Sequence, residues 1–442
     1  MRNWAVRSLT TLCLTLVGVA LAAGPSPSDG LGSGTGLNPA GLIAFVTGSG
    51  NVAVVDPSTL EVTAYGAGPR RAVFPVWSSD GSRLAAVVVG PGGSRVEVVD
   101  VSQGGGPSVV LSAPDRSPIY LSWSPDDVYL AVLSGTRDQA LALDVLRVNE
   151  ALEGDADARI TLSFGQPFYW DWSREDDTLF VHRDVLTENA LAGVTGLDAF
   201  DVATPLRAPG SFQSPDVSDS GRFLAYAATD ERGSRVVIVN TPEPGIANAS
   251  EGVEVADLAH EGMVAFAWRP GRDQLSVQGA TTSGFFAGPV ELLDVESGES
   301  RVVSSDTVLA SFWSPDGRWL VTLATNDGDE RVAGAQPLVR VNARPTPQRV
   351  QARPPLLRVM FHAVDDRTYV DGGVFRPSVA FVTQYLPFFD QYSRSHRLWA
   401  PDSSAIVLPT LGEAGVPTLV VFGVDGTSRE IGPGDMPAWN LR

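Results

Sequence analysis

The chain has 442 residues, with 45 glycines, 32 prolines and 43% hydrophobic residues, a make-up that suits many short strands joined by turns. Its formal net charge is −19 and every basic residue is an arginine, so it lacks the basic patches that nucleic acid or anionic lipid call for, and the balance weakly favours cationic partners. A single cysteine excludes a disulfide framework, and stability must come from the core.

Met1 to Ala23 carries Arg2 and Arg7, an apolar run from Leu9 to Leu21, and small residues at Ala20, Ala22 and Ala23. That order reads as a secretory signal peptide, with an uncleaved anchor as the alternative. The run is short for a spanning helix, so no stable membrane insertion is expected after signal removal, and the mature chain is expected in the periplasm or outside the cell. Residues 24–41 (GPSPSDGLGSGTGLNPAG) have the composition of a flexible tether.

From Leu42 to Gly66 come three strand-like runs, IAFV, NVAVVD and EVTAYG, joined by turn residues. A phrase then repeats. Its fullest copy is LASFWSPDGRWLV, from Leu309 to Val321: a strand ending at Trp313, a Ser-Pro-Asp-Gly turn, and a second strand leaving through Trp319. Pro315 presets the backbone angle at the second turn position, Asp316 can bond back to nearby amides, and Gly317 accepts positive φ cheaply. Weaker copies start at Trp77, Trp123, Trp172, Val217, Trp268 and Trp399, and PAWN at Trp439 is a truncated one. The steps between them are 46, 49, 45, 51, 45, 86 and 40 residues, close to the ~40–50 residues of one four-stranded propeller blade.

This spacing predicts an all-β chain, an eight-bladed β-propeller over 42–442, or seven blades if the Val217 copy is degenerate. The ring is expected to close by pairing Pro437–Leu441, an orphan first strand, with the three runs after Leu42. The long step places an excess at about 353–396, read as an aromatic-rich insertion containing a short helix rather than a ninth blade.

The W-S-P-D-G phrase of Trp313 to Gly317, matched over its first four residues at Trp123 to Asp126, resembles the repeat of TolB-type bacterial envelope propellers. The resemblance covers Leu42 to Arg442 and implies a periplasmic protein that acts through protein contacts. The TolB family also has a separate N-terminal α/β domain, where this chain shows only a tether. Propellers of the prolyl oligopeptidase kind stand beside a hydrolase domain, and here no G-x-S-x-G phrase occurs.

The four histidines, His182, His260, His362 and His396, show no metal-type spacing, and the acidic groups near Asp155 and Asp329 complete no calcium loop; no metal or cofactor is expected. Asp80, Asp126, Asp316 and Asp402 recur in the turn, each expected to cap its own turn. Three residues before a repeat tryptophan stand Phe74, Tyr120, Tyr169 and His396, and two before stand Trp170 and Arg397. If first strands line a central channel, these side chains converge near one mouth, or they pack between blades. The run FFDQYSRSHRLW, Phe388 to Trp399, adds Asp390 and Arg394 and is the first choice for a contact site. The function expected is a binding scaffold for another envelope protein or a small ligand, the alternative a propeller hydrolase or lyase at the channel mouth.

Overall fold

A computed structural model describes residues 37–441, apart from 67–69, 139, 166–167, 174–177, 186–187, 196–200, 208–213, 232, 242–253, 261–262, 280–286, 327–353 and 413–414. The expected signal peptide, and the linker as far as residue 36, lie outside the described residues. The end of the linker is docked rather than loose. Leu37 is buried against Phe45, and the Ala40 amide donates to Asp402 Oδ2 at 2.9 Å.

The described residues are almost all antiparallel strands, in successive sheets of four. The Trp77 sheet is typical: Arg71–Trp77, Arg83–Gly90, Gly93–Asp100 and Ser108–Leu111 pair in chain order. Its third strand, VEVV, is buried because both faces of such a sheet pack on neighbours. The Trp123, Trp172 and Val217 repeats each build a four-stranded sheet in the same order, so the Val217 copy folds like the others despite its missing indole. The Trp268 and Trp313 repeats are joined through one long strand, Ser300–Trp313. Its first half pairs with Gly288–Asp294, and its second half with Trp319–Thr325. The Trp399 repeat starts with the bridge Trp399↔Ile406 and continues through Ala405–Leu411, Pro417–Gly423 and Ser428–Pro433.

The last strand, Asp435–Trp439, pairs with Ile43–Val46 in register Ile43↔Trp439 and Ala44↔Ala438, followed by Val52–Val55 and Val62–Tyr65. Two ends of the chain thus share one sheet. Leu42 and Asn440 fasten it, with the Leu42 amide donating to Asn440 Oδ1 (2.9 Å) and the Asn440 amide to the Leu42 carbonyl (3.0 Å).

One stretch departs from expectation. The proposed insertion at about 353–396 is not a single inserted piece. Leu357–Ala363 and Thr368–Phe375 are the third and fourth strands of the Trp313 sheet, pairing in turn after Trp319–Thr325. Alternating buried residues such as Val359 and Phe361 carry the strand pattern, but with no tryptophan phrase in front of them the segment hid its membership. The added pieces are residues 327–353, outside the described set, and the helical segment after Arg376.

The repeat tryptophans join sheet to sheet. Trp123 Nε1 donates to the Val76 carbonyl, Trp268 Nε1 to Asp216, Trp313 Nε1 to Ala267, and Trp399 Nε1 to Phe312. Each acceptor is the residue just before the preceding repeat's key position. Trp77 obeys the same rule across the chain ends, donating to the Ala438 carbonyl at 3.0 Å. Trp172 Nε1 and Trp439 Nε1 are buried without such a partner.

The four repeated aspartates face their own turns. Asp80, Asp126, Asp316 and Asp402 each accept the amide two residues on, from Ser82, Val128, Arg318 and Ser404 at 2.8–3.1 Å. The serine after the tryptophan completes the corner: Ser78, Ser124 and Ser314 each accept the amide five residues later. At Gly317 the turn also needs the missing side chain, since φ is +67° and a Cβ would lie 2.4 Å from the Pro270 carbonyl.

Candidate functional site

First strands of neighbouring sheets leave one edge unpaired, a row of amides and carbonyls that needs partners once buried. The segment Ser378 to His396 supplies them. It winds irregularly, with a π-helical turn at Phe381–Tyr385, a 3-10 turn at Leu386–Phe388 and an α-helix at Phe389–Ser395. Its aromatic residues Phe381, Tyr385, Phe389 and Tyr392 are all buried.

Gln391 holds two strands at once. Its Nε2 donates to the Trp170 carbonyl (3.0 Å) and its Oε1 accepts from the Trp170 amide (3.2 Å), so the side-chain amide stands in for a neighbouring strand. The same Oε1 accepts from Ser214 Oγ (3.0 Å), and the Gln391 carbonyl accepts from the Tyr120 hydroxyl (3.0 Å).

His396 lies 3.0 Å through Nε2 from the Phe74 carbonyl and 2.7 Å through Nδ1 from Ser395 Oγ. A carbonyl only accepts, so Nε2 carries the proton and Nδ1 accepts from the serine. Burial pushes this imidazole down to about 4, opposed by the bond to Phe74, and it stays neutral near pH 7. Phe74 turns toward the helix from a buried bulge with φ +47°, and its ring meets Tyr392 edge-on at 4.9 Å.

Arg394 reaches the strands beyond. Its guanidinium donates to the Pro215 carbonyl and lies 3.7 Å from both Asp171 Oδ2 and Asp216 Oδ2. Those carboxylates already accept the amides of Val217 and Trp268 in the next sheets (3.0 and 2.9 Å). Asp390, on the same helix, is buried with Oδ1 unpartnered, and burial raises it to about 6 against the pull of Arg394. Tyr169 is buried, its hydroxyl raised first by desolvation and then by Asp390; burial pushes Tyr120 up to about 12.

Further contacts run to Phe312, whose ring meets Phe389 at 5.8 Å, to the strand Val264–Trp268, and to Asp435, which accepts from Ser378 Oγ at 2.7 Å. The segment therefore touches the first strands of seven repeats.

Of the sequence candidates, Tyr120, Trp170, Asp390, Arg394 and His396 come together here, with Tyr169 beside Asp390. Arg397 starts the next first strand, where its carbonyl accepts from the Trp439 amide (2.7 Å). Tyr120, Trp170 and His396 are each 3% exposed or less, so the chain's own helix covers the surface they would offer a ligand. Gln391, Ser395 and Ser214 were not singled out from sequence. Gln391 lies one helical turn before Arg394 and Ser395, and that spacing was the only available signal. Among the described residues no group of three His, Cys, Asp or Glu side chains could hold a metal ion, and no helix is long and apolar enough to cross a membrane.

No family model and no curated protein matches the chain. Solved structures do. Dihydro-heme d1 dehydrogenase NirN in complex with DHE aligns with a TM-score of 0.54 and 13% identity, over 90% of this chain and 74% of that one. TolB from Acinetobacter baumannii gives 0.39 and 12%, covering 76% of this chain and 64% of its own. Oligogalacturonate lyase in complex with manganese gives 0.44 and 11%, over 88% and 83%. At these identities the likeness is one of fold alone, and with the four-stranded sheets above it supports the class, an all-β propeller scaffold.

Proposed function

We infer that the eight repeats close into one ring, with the chain's two ends sharing a blade, and that the protein is an exported, TolB-like propeller serving as a binding scaffold in the cell envelope. Support for closure comes from the terminal pairing and from the Trp77 indole bond to Ala438, which continues the sheet-to-sheet rule across the ends. The observation that carries the scaffold reading is the helical segment at the first strands. It uses up the side chains that a channel-mouth ligand would meet, so it disfavours a hydrolase or lyase at that mouth and leaves contact with another protein as the simpler role. The leader-like composition of Met1 to Ala23 supports export.

The test has two arms. A C-terminally tagged chain expressed in a Gram-negative host should appear in the periplasm or medium, shortened by about 23 residues on intact-mass measurement. The purified protein should leave a panel of glycosides, lactones, peptides and oligogalacturonate unchanged. Turnover far above background would overturn the scaffold reading, and retention in the cytoplasm would overturn export.

A further inference from the structure

We propose that Ser378 to His396 is a separable internal ligand: the first strands form a receptor site that reads amide, imidazole and guanidinium donors, and the chain fills that site with its own peptide. This goes beyond the scaffold reading, since it concerns what the closed mouth can do when it opens.

Three observations carry it. First, the strands that receive the segment complete their four-stranded sheets without it. The Trp77, Trp123, Trp172 and Val217 sheets each pair internally, and none of their ladders includes a residue from 378–396. The receptor is thus built from other parts of the chain, as a protein is built before its ligand arrives. Second, the contacts are those of ligand recognition. Three polar side chains, Gln391, Arg394 and His396, address backbone atoms of three different sheets, namely Trp170, Pro215 and Phe74, and paired carboxylates at Asp171 and Asp216 flank the guanidinium. Third, the segment changes its winding from π to 3-10 to α within fifteen residues, and it buries the carboxylate oxygen Oδ1 of Asp390 with no partner. A helix made for its own stability would do neither; undocking restores water to that carboxylate and relaxes the π-turn.

The site's chemistry defines what it takes when open: a short peptide with one arginine set between aromatic rings and an amide side chain one turn earlier. The occupant seen here is residues 378–396.

Hydrogen exchange on the full chain near neutral pH tests separability. The amides of Phe389–Ser395 should exchange through a partial opening, about 100-fold or more faster than those of Leu130–Val132 in the Trp123 sheet. Equal rates would mean that the segment opens only with the whole fold, and would overturn the proposal. A second measurement uses the full-length double variant Gln391→Ala/Arg394→Ala, which weakens the internal copy, and a fluorescent synthetic peptide of residues 376–397. The variant should bind this peptide, and a peptide carrying Arg394→Ala should bind about tenfold more weakly, the loss of one charge-assisted contact. A folded variant that binds neither peptide refutes the proposal. So does a variant that no longer folds, because weakening a separable ligand leaves its receptor intact. Neither readout depends on turnover or export, so this proposal and the scaffold reading can fail independently.

Discussion

Removing Met436 to Arg442 tests the joining of the chain ends most directly. Trp439 is 1% exposed and Met436 6%, and deletions of such buried side chains cost about 3–5 and 2–5 kcal/mol. Four hydrogen bonds go with them: Trp77 Nε1 to Ala438, the Trp439 amide to Arg397, and the two between Leu42 and Asn440, each worth about 1 kcal/mol. The sum is roughly 10 kcal/mol, comparable to the whole stability of an ordinary folded domain. An unfolding entropy of about 2.1 cal/mol/K per residue, taken over ~400 residues, converts that loss to a fall in Tm of about 12 °C. Calorimetry of the truncated chain beside the parent reads it, and the double-length baseline of a split transition would show the terminal sheet melting first. A Tm within about 2 °C of the parent would refute the pairing as a structural necessity.

The indole bonds make a paired comparison. Trp123→Phe and Trp172→Phe remove rings of similar burial, but only Trp123 gives up a hydrogen bond, so in urea titrations its variant should be less stable by about 1 kcal/mol more. Equal losses would show that the indole bond contributes nothing between sheets. Acid dependence should split by residue. Asp390, raised to about 6 from 3.8, adds stability that is full below pH 4 and lost as pH rises through 6, roughly 3 kcal/mol. His396, lowered to about 4 from 6.5, works the other way: its contribution is full above 6.5 and lost as pH falls through 4, again roughly 3 kcal/mol. From pH 7 to 4.5, Asp390→Asn should therefore lose ground against the parent and His396→Gln should gain, by denaturant titration at each pH. Parallel curves would show that neither group titrates between folded and unfolded chain.

The repeat was legible because its chemistry is local. The tryptophan, the turn aspartate and the glycine of positive φ recur at fixed offsets, so Trp313 to Gly317 announced both its own corner and the six like it. The pairing of the ends followed from the same phrase, since PAWN has the start of a repeat without its continuation. What stayed hidden was non-local. Leu357–Ala363 carries no turn phrase and joins its sheet only through a partner far back in the chain, at Trp319–Thr325. Gln391 looks like any helical glutamine until Trp170, more than two hundred residues away, presents an amide and a carbonyl at the right spacing. Likewise Tyr120 and His396 could be placed near one mouth, but nothing local said that the mouth would be filled from within.

Because Asn440 and Leu42 hold the two extremities side by side, the place where the polypeptide begins is an accident of its gene rather than a requirement of its shape. A version re-cut at the exposed glycines Gly104 to Gly106, with a short bridge between the old extremities, should trace the same circle from a new starting point.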